Sequence, residues 1–187
     1  GNYILYVAIA DVGRYIDIGS NLDKEAFDRG TSVYFSQRVI PMLPEELSND
    51  LCSLKPNEDR FCLVCKTKID KDGNLSDTSF FEAVINSKSR LTYSTVSREI
   101  EKNQYKRPYD NSLRILLEIY KRLKKNRVER GSLELEVPSY IPKVENQKVT
   151  KFIDSPREIS HMMIEEFMLA ANISAAQLCI NHKIPSV

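Results

Sequence analysis

The residues of this sequence that could support covalent or metal chemistry are four cysteines, two histidines and scattered carboxylates. Cys62 and Cys65 form a C-x2-C pair within an apolar run that alternates like a strand. Side chains three positions apart on a strand face opposite sides of the sheet, so these two sulfurs cannot share one tetrahedral metal ion. Cys52 and Cys179 form no second pair. The four thiols are therefore expected to be reduced and structural.

The sequence also lacks the local motifs of several enzyme classes. Neither His161 nor His182 stands in a recognisable nucleophile motif with a serine or cysteine. The chain contains neither a P-loop nor a G-x-G-x-x-G turn, so nothing supports nucleoside triphosphate or dinucleotide binding. A two-metal site needs several carboxylates that converge on one point, and the acidic residues here are dispersed. These patterns alone indicate no catalytic centre.

A basic run closes the longest amphipathic segment. Residues 121–127 contain three lysines and two arginines, and Arg130 extends the run. One interpretation is a solvated helix end, where positive charges also suit the helix dipole. The other is a ridge in which Lys121, Lys124 and Lys125 contact phosphate groups. Nine tyrosines are present, and aromatic faces beside basic groups suit single-stranded nucleic acid. Composition leaves both interpretations open.

The composition is that of an ordinary globular protein. Of 187 residues, 42% are hydrophobic and 28% are charged, and the formal net charge is +1. A nucleic-acid partner must therefore be met by a local patch or groove, not by the field of the whole molecule. The longest unbroken apolar run, Tyr3–Ala10, is too short to cross a bilayer, and no signal peptide is recognisable. These features predict a cytoplasmic protein without a membrane partner.

Hydrophobic periodicity predicts a single α+β domain over residues 1–187, with a mixed β-sheet flanked by helices. The apolar strand Tyr3–Ala10 is expected to be covered on both faces. A hairpin turn at 70–74 is expected to join two strands. The predicted strands are 3–10, 60–69, 75–85, 133–137 and 149–153, and the predicted helices are 23–29, a short one beginning at Pro44, 94–102, 111–129 and 156–182.

Six segments indicate a family. They are Val7-Ala-Ile-Ala-Asp-Val12, Arg29-Gly-Thr-Ser-Val-Tyr-Phe35, the Pro- and acid-rich stretch 41–54, Arg90-Leu-Thr-Tyr93, Arg130-Gly-Ser-Leu133 and Ile164-Glu-Glu-Phe-Met-Leu-Ala-Ala-Asn172. In this order they resemble the catalytic RNB domain of the ribonuclease II/ribonuclease R family. The resemblance extends over essentially all 187 residues, and segment 29–35 favours the ribonuclease R branch.

The resemblance implies a processive 3′→5′ exoribonuclease that threads single-stranded RNA down a channel and releases 5′-mononucleotides with Mg²⁺. It also implies that this chain is an interior part of the RNB domain. The family's metal-binding aspartates precede the strand at 7–12, its catalytic arginine follows segment 164–172, and cold-shock and S1 domains flank the whole. No catalytic residue or metal ligand is therefore expected here, and the isolated chain is expected to be inactive. A DNA partner is not expected.

What the resemblance assigns to this chain is part of the RNA channel. Tyr34 matches a tyrosine that stacks on the 3′-terminal nucleotides, and Tyr93 matches a second tyrosine that holds the RNA end. Glu165 matches a glutamate that contacts a ribose. Leu135 falls where the ribonuclease II branch carries a phenylalanine that closes the base stack. Lys121, Lys124 and Lys125 are further candidates for the channel wall.

Helix geometry separates two adjacent glutamates in the last predicted helix. At 100° per residue, His161, Glu165 and Asn172 fall in one narrow stripe, whereas Glu166 falls in the middle of the apolar face. A buried carboxylate is costly unless it is paired and hydrogen-bonded. Glu165 is therefore predicted to face the RNA channel, and Glu166 is predicted to be buried and held by a basic or backbone donor.

Three functions remain open from the sequence. The first is the exoribonuclease segment just described. The alternative is a non-catalytic module that binds single-stranded RNA without cleaving it. The third is a protein-interaction domain whose apolar first strand and basic helix end face a partner.

Overall fold

The computed structural model describes residues 1–35, 38–104, 109–133, 140–145, 148–155 and 157–186. It confirms the α+β class. The strands are β1 (Tyr3–Ala10), β2 (Val33–Tyr34), β3 (Val39–Ile40), β4 (Asp59–Ile69), β5 (Leu75–Asn86), β6 (Tyr140–Glu145) and β7 (Lys148–Asp154). The helices are α1 (Asn21–Arg29), α2 (Tyr93–Glu101), α3 (Asp110–Glu129) and α4 (Ile159–Asn181), with a 3-10 turn at Val12–Tyr15 and a π-helical turn at Glu46–Leu51.

The largest sheet is antiparallel, with strand order β1-β4-β5. Its register pairs Tyr3 with Ile69 and Val7 with Cys65. The predicted hairpin turn joins β4 to β5 and is held by the Asp70 carboxylate. That carboxylate accepts hydrogen bonds from the backbone N–H groups of Asp72 (2.8 Å) and Asn74 (2.9 Å) and from the Asn74 side chain. The Asn74 side-chain bond, followed by the backbone bonds, lowers the pKa of Asp70.

The core lies between one face of this sheet and helices α3 and α4. Apolar residues recur along α3 at helical spacing, so this helix presents one stripe to the sheet, whereas α4 is apolar on most sides and buries one of them. The buried residues of this core are Leu5 and Ile69 from the strands, Ile119, Tyr120 and Leu123 from α3, and Met163, Phe167 and Ala170 from α4.

Strand β1 departs from expectation near its N-terminal end, where one of its faces is open. Leu5 is 4% exposed, whereas Ile4 on the other face is 55% exposed and Tyr6 is 57% exposed. The helices pack on a single face of the sheet, and β1 lies at the sheet edge in the described part of the chain. The prediction that both faces of β1 are covered is therefore wrong for Ile4 and Tyr6, whereas Ala8 and Ala10 lie beside the buried Val64 and Cys62 on that same face.

The helix boundaries follow the local signals closely. The Ser20 hydroxyl accepts from the Asp23 N–H at the start of α1, and Gly30 ends this helix with a positive φ of 66°. The predicted helices at 94–102, 111–129 and 156–182 correspond to α2, α3 and α4. The predicted strand 149–153 lies in β7, whereas most of the predicted strand 133–137 lies outside the described residues.

Of the described helices, α4 alone has the length and mean hydropathy of a membrane-crossing helix. It contacts α2, α3 and the three-stranded sheet. It also holds a buried carboxylate, Glu166, in an ion pair with Arg127. These contacts account for the buried side of α4, whereas Ile164, Ile173, Leu178 and Ile180 are exposed.

Candidate functional site

The N-terminal ends of α2 and α4 meet in an aromatic stack. Tyr93, the first residue of α2, lies parallel to the imidazole of His161 in the first turn of α4. The ring centroids are 4.0 Å apart and the planes are inclined by 17°. Tyr93 remains 46% exposed. The pair therefore presents an aromatic surface on which a planar group such as a nucleobase can stack.

Two buried serine hydroxyls join the same helix ends. The Ser160 Oγ donates to the backbone carbonyl of Tyr93 at 2.9 Å, and it lies 2.7 Å from the Ser97 Oγ. Because the only hydroxyl proton of Ser160 goes to Tyr93, Ser97 is the donor between the two serines. The Ser97 Oγ also accepts from the Ser160 N–H at 3.3 Å. This bond caps α4, whose N-cap residue Glu158 makes no side-chain cap of its own.

Glu165 lies one turn along α4 from His161, on the same side of the helix. Its Oε2 accepts from the Arg157 guanidinium, and both side chains are about half exposed, at 43% and 49%. A carboxylate offers about four lone-pair sites, and this ion pair uses only part of that capacity. Glu165 therefore has the chemistry to accept a hydrogen bond from a sugar hydroxyl.

Glu166, the adjacent residue, points into the protein. It is 4% exposed, and its Oε1 accepts from the Arg127 Nε at 2.7 Å. The Arg127 guanidinium also donates to the Ser132 hydroxyl at 2.7 Å. The predicted burial of Glu166 and its predicted basic partner are both confirmed.

An open apolar cavity of about 150 Å³ adjoins the stack. A cavity of this size accommodates a molecule as large as a benzene ring. Its lining includes Leu91, Tyr93, Val96, Leu113, Ile164 and Phe167. The exposed ring of Tyr93 therefore borders an apolar cavity.

Tyr34 lies on a separate element. It is 77% exposed on β2 and pairs with Val39 across the short β2–β3 hairpin. The structure thus brings Tyr93 and Glu165 to one end of α4, and it places Tyr34 on the β2–β3 hairpin. Leu135 lies outside the described residues.

The basic residues at the end of α3 differ in their surroundings. The lysines face solvent to different degrees, and Arg127 is paired inside the protein. Lys121 and Lys125 are exposed and Lys124 is half-buried. Lys121 and Lys125 lie on the side of the helix away from the buried Leu123, and Lys124 lies on its flank. Lys125 pairs with Glu129 at 3.7 Å, whereas Arg127 is used inside the protein by Glu166. Lys121 and Lys125 are therefore accessible to a phosphate backbone.

The four cysteines differ in burial, and Cys52 and Cys179 are half-buried. Cys62 and Cys65 are buried on β4, and all four cysteines are free. Burial raises the pKa of the Cys62 and Cys65 thiols, and the negative charge of Asp11 raises that of Cys62 further. In the described part of the chain, no three His, Cys, Asp or Glu side chains are grouped so that they could hold a metal ion. The described residues therefore contain no clustered ligand set of the kind that a two-metal site needs.

The family model of the RNB domain matches residues 1–187 of this chain. The chain belongs to the RNB domain family. Its full length is 45% identical to the protein named Ribonuclease R from Vibrio parahaemolyticus, of which the alignment covers 23%. The chain therefore spans about a quarter of that relative's length.

Two solved structures of Mycoplasma genitalium RNase R have the same fold as this RNB domain. One is in complex with ribose-methylated single-stranded RNA, and it matches with a TM-score of 0.91 and 32% identity over 96% of this chain and 29% of that chain. The other is in complex with double-stranded RNA, and it matches with a TM-score of 0.91 and 33% identity over 97% of this chain and 33% of that chain. The expected RNB-type fold is thereby confirmed.

Sequence reasoning missed three residues of this site: His161 as a stacking partner, and Ser97 and Ser160 as the link between helix ends. The one available signal was the helical stripe that His161 shares with Glu165. The serines carry no sequence signal, because their pairing depends on how α2 meets α4.

Proposed function

We propose that this RNB domain chain works within a longer protein as part of a Mg²⁺-dependent exoribonuclease that degrades single-stranded RNA from the 3′ end to 5′-mononucleotides. The observation that carries the proposal is the RNB match over all 187 residues, together with 45% identity to a Ribonuclease R. The RNA-bound Mycoplasma genitalium relatives support RNA as the partner. A cytoplasmic location, without a DNA or membrane partner, belongs to the same proposal.

Within this proposal, Tyr93 and Glu165 contact one end of the RNA. The exposed ring of Tyr93 offers a stacking surface, and Glu165 offers an acceptor for a ribose hydroxyl one helical turn beyond His161. Tyr34 stacks on the RNA from the β2–β3 hairpin. The side chains of Lys121, Lys124 and Lys125 contact phosphates, a contribution that weakens as salt rises.

Magnesium ligands and the catalytic arginine are proposed to come from other parts of the longer protein. With Mg²⁺ and a 5′-labelled single-stranded oligonucleotide, the intact protein should produce a ladder that shortens from the 3′ end. If it retains the RNA uncleaved, the alternative of a non-catalytic RNA-binding module is correct instead.

The isolated 187-residue chain is expected to leave RNA intact, because its described residues contain no group of side chains that fits a metal site. The measurement is incubation of labelled oligo(A) with the purified chain and Mg²⁺, followed by gel electrophoresis. A parallel preparation of an unrelated protein controls for contaminating nuclease. Shortened products that appear only with this chain would contradict the prediction.

Replacement of Tyr34 by alanine in the intact protein should weaken binding of the RNA 3′ end by about 1–3 kcal/mol, the usual contribution of one base stacked on an aromatic ring. Tyr34→Phe should be much milder, because it keeps the exposed ring. Fluorescence anisotropy with labelled RNA in EDTA measures binding without hydrolysis. Equal losses in the two variants would show that the hydroxyl group, not the ring, makes the contact.

A further inference from the structure

The stack between Tyr93 and His161 restricts which face of the Tyr93 ring can contact RNA. This inference rests on the proposed function. An exposed tyrosine ring normally offers two faces. Here the imidazole lies parallel to the ring at 4.0 Å, so one face is covered. At this separation no base fits between the two rings. A nucleobase can therefore stack only on the opposite face.

The backbone under this ring is fixed as well. The Tyr93 carbonyl accepts from the buried Ser160 hydroxyl, and Ser160 is bound in turn to Ser97. His161 directly follows Ser160 in α4, so one helical turn holds both the backbone of Tyr93 and its ring. A side chain that is ordered before binding loses less conformational entropy when the ligand arrives.

We propose that His161 is a positioning residue that holds the Tyr93 ring with one face open, so that this ring accepts a single nucleobase of the RNA. Glu165 lies one turn further along the same side of α4. The N-terminal ends of α2 and α4 thus form one surface. There the base stacks on Tyr93 and the attached ribose contacts Glu165. His161 contributes through the order that it imposes on Tyr93.

The test measures RNA binding by the intact protein in EDTA, with 2-aminopurine near the 3′ end of a single-stranded oligonucleotide. Stacking quenches the fluorescence of this base analogue. The variants are H161A, H161F, Y93A and the double variant H161A/Y93A. N172A is the matched control, because Asn172 is exposed on the same stripe of α4 about three turns away. Thermal melting checks that each variant folds.

H161A should weaken binding about 3- to 10-fold and reduce the quenching, whereas H161F, which keeps an aromatic partner for Tyr93, should bind within about twofold of the parent. In the Y93A background, H161A should have no further effect. N172A should behave like the parent.

Three results would overturn the inference alone: equal losses in H161A and H161F, full additivity of H161A with Y93A, or tighter binding by H161A. The last would mean that the imidazole occupies the place of the nucleobase. Absence of RNA binding by the parent protein would instead overturn the proposed function, and this inference with it.

Discussion

Replacement of Glu166 by alanine should destabilise the protein by about 3–5 kcal/mol, the usual cost of removing one partner of a buried ion pair. The carboxylate is 4% exposed, and the side chain of its partner Arg127 is only 16% exposed. Without Glu166 the guanidinium loses its bond to this carboxylate and keeps its bond to the Ser132 hydroxyl. For a domain of this size, such a loss lowers the melting temperature by roughly 6–20 °C.

The adjacent residue provides the matched control. Glu165→Ala removes an exposed pair with Arg157, which contributes about 1 kcal/mol or less, so its melting temperature should stay close to that of the parent. The double variant R127L/E166L should recover much of the stability lost in Glu166→Ala, because apolar residues often replace a buried ion pair without net cost. If Glu165→Ala melts early while Glu166→Ala melts like the parent, the two roles are reversed.

The distinction between these two glutamates was predictable because it depends on one helix. The 100° rotation per residue places Glu166 among apolar neighbours and Glu165 beside His161, whatever the rest of the fold does. The identity of the basic partner was not predictable. Arg127 lies on α3, within a run that could equally be a fully solvated helix end. The sequence therefore predicts that a buried carboxylate needs a cation but does not identify the cation.

The strands show the same division between local and tertiary information. Alternation and the turn at 70–74 predict β4 and β5 within a residue or two. Strands β2 and β3 are two residues each, too short for any period to be detected. The continuous apolar run in β1 suggested coverage on both faces, yet helices cover only one. Hydrophobicity shows that a strand can be buried, and only the tertiary arrangement determines which faces are covered.

For the candidate site, the family resemblance identified Tyr93 and Glu165. The structure identified the residues that hold Tyr93 in place. The stack of Tyr93 on His161 joins residues of two helices that are far apart in sequence. The Ser97–Ser160 pair does the same. Contacts between separate helices follow no fixed sequence separation, so they cannot be predicted from one sequence.

Gly73→Ala should destabilise the protein by about 3 kcal/mol or more. Gly73 has a φ of 82°, where an L side chain costs about 1–2 kcal/mol. An added Cβ would also lie 2.4 Å from the Arg122 carbonyl oxygen, which the backbone of α3 holds in place. The turn would have to move away from α3. That movement would break the bonds from the Asn126 side chain to the Asp72 carbonyl (3.2 Å) and the Asn74 side chain (3.0 Å).

A comparison with Gly131 separates the contribution of backbone strain at Gly73 from that of the steric clash. Gly131 has nearly the same φ, 85°, but no atom of the described residues beyond its two chain neighbours lies within 4 Å of the position of its Cβ. Gly131→Ala should therefore cost only the conformational part, about 1–2 kcal/mol. Asparagine tolerates this backbone region, so Gly131→Asn should be milder still, whereas Gly73→Asn should stay severe because the clash remains. Urea unfolding of the four variants measures these differences. Equal losses at the two positions would show that backbone strain alone accounts for the effect and that the turn does not press against α3.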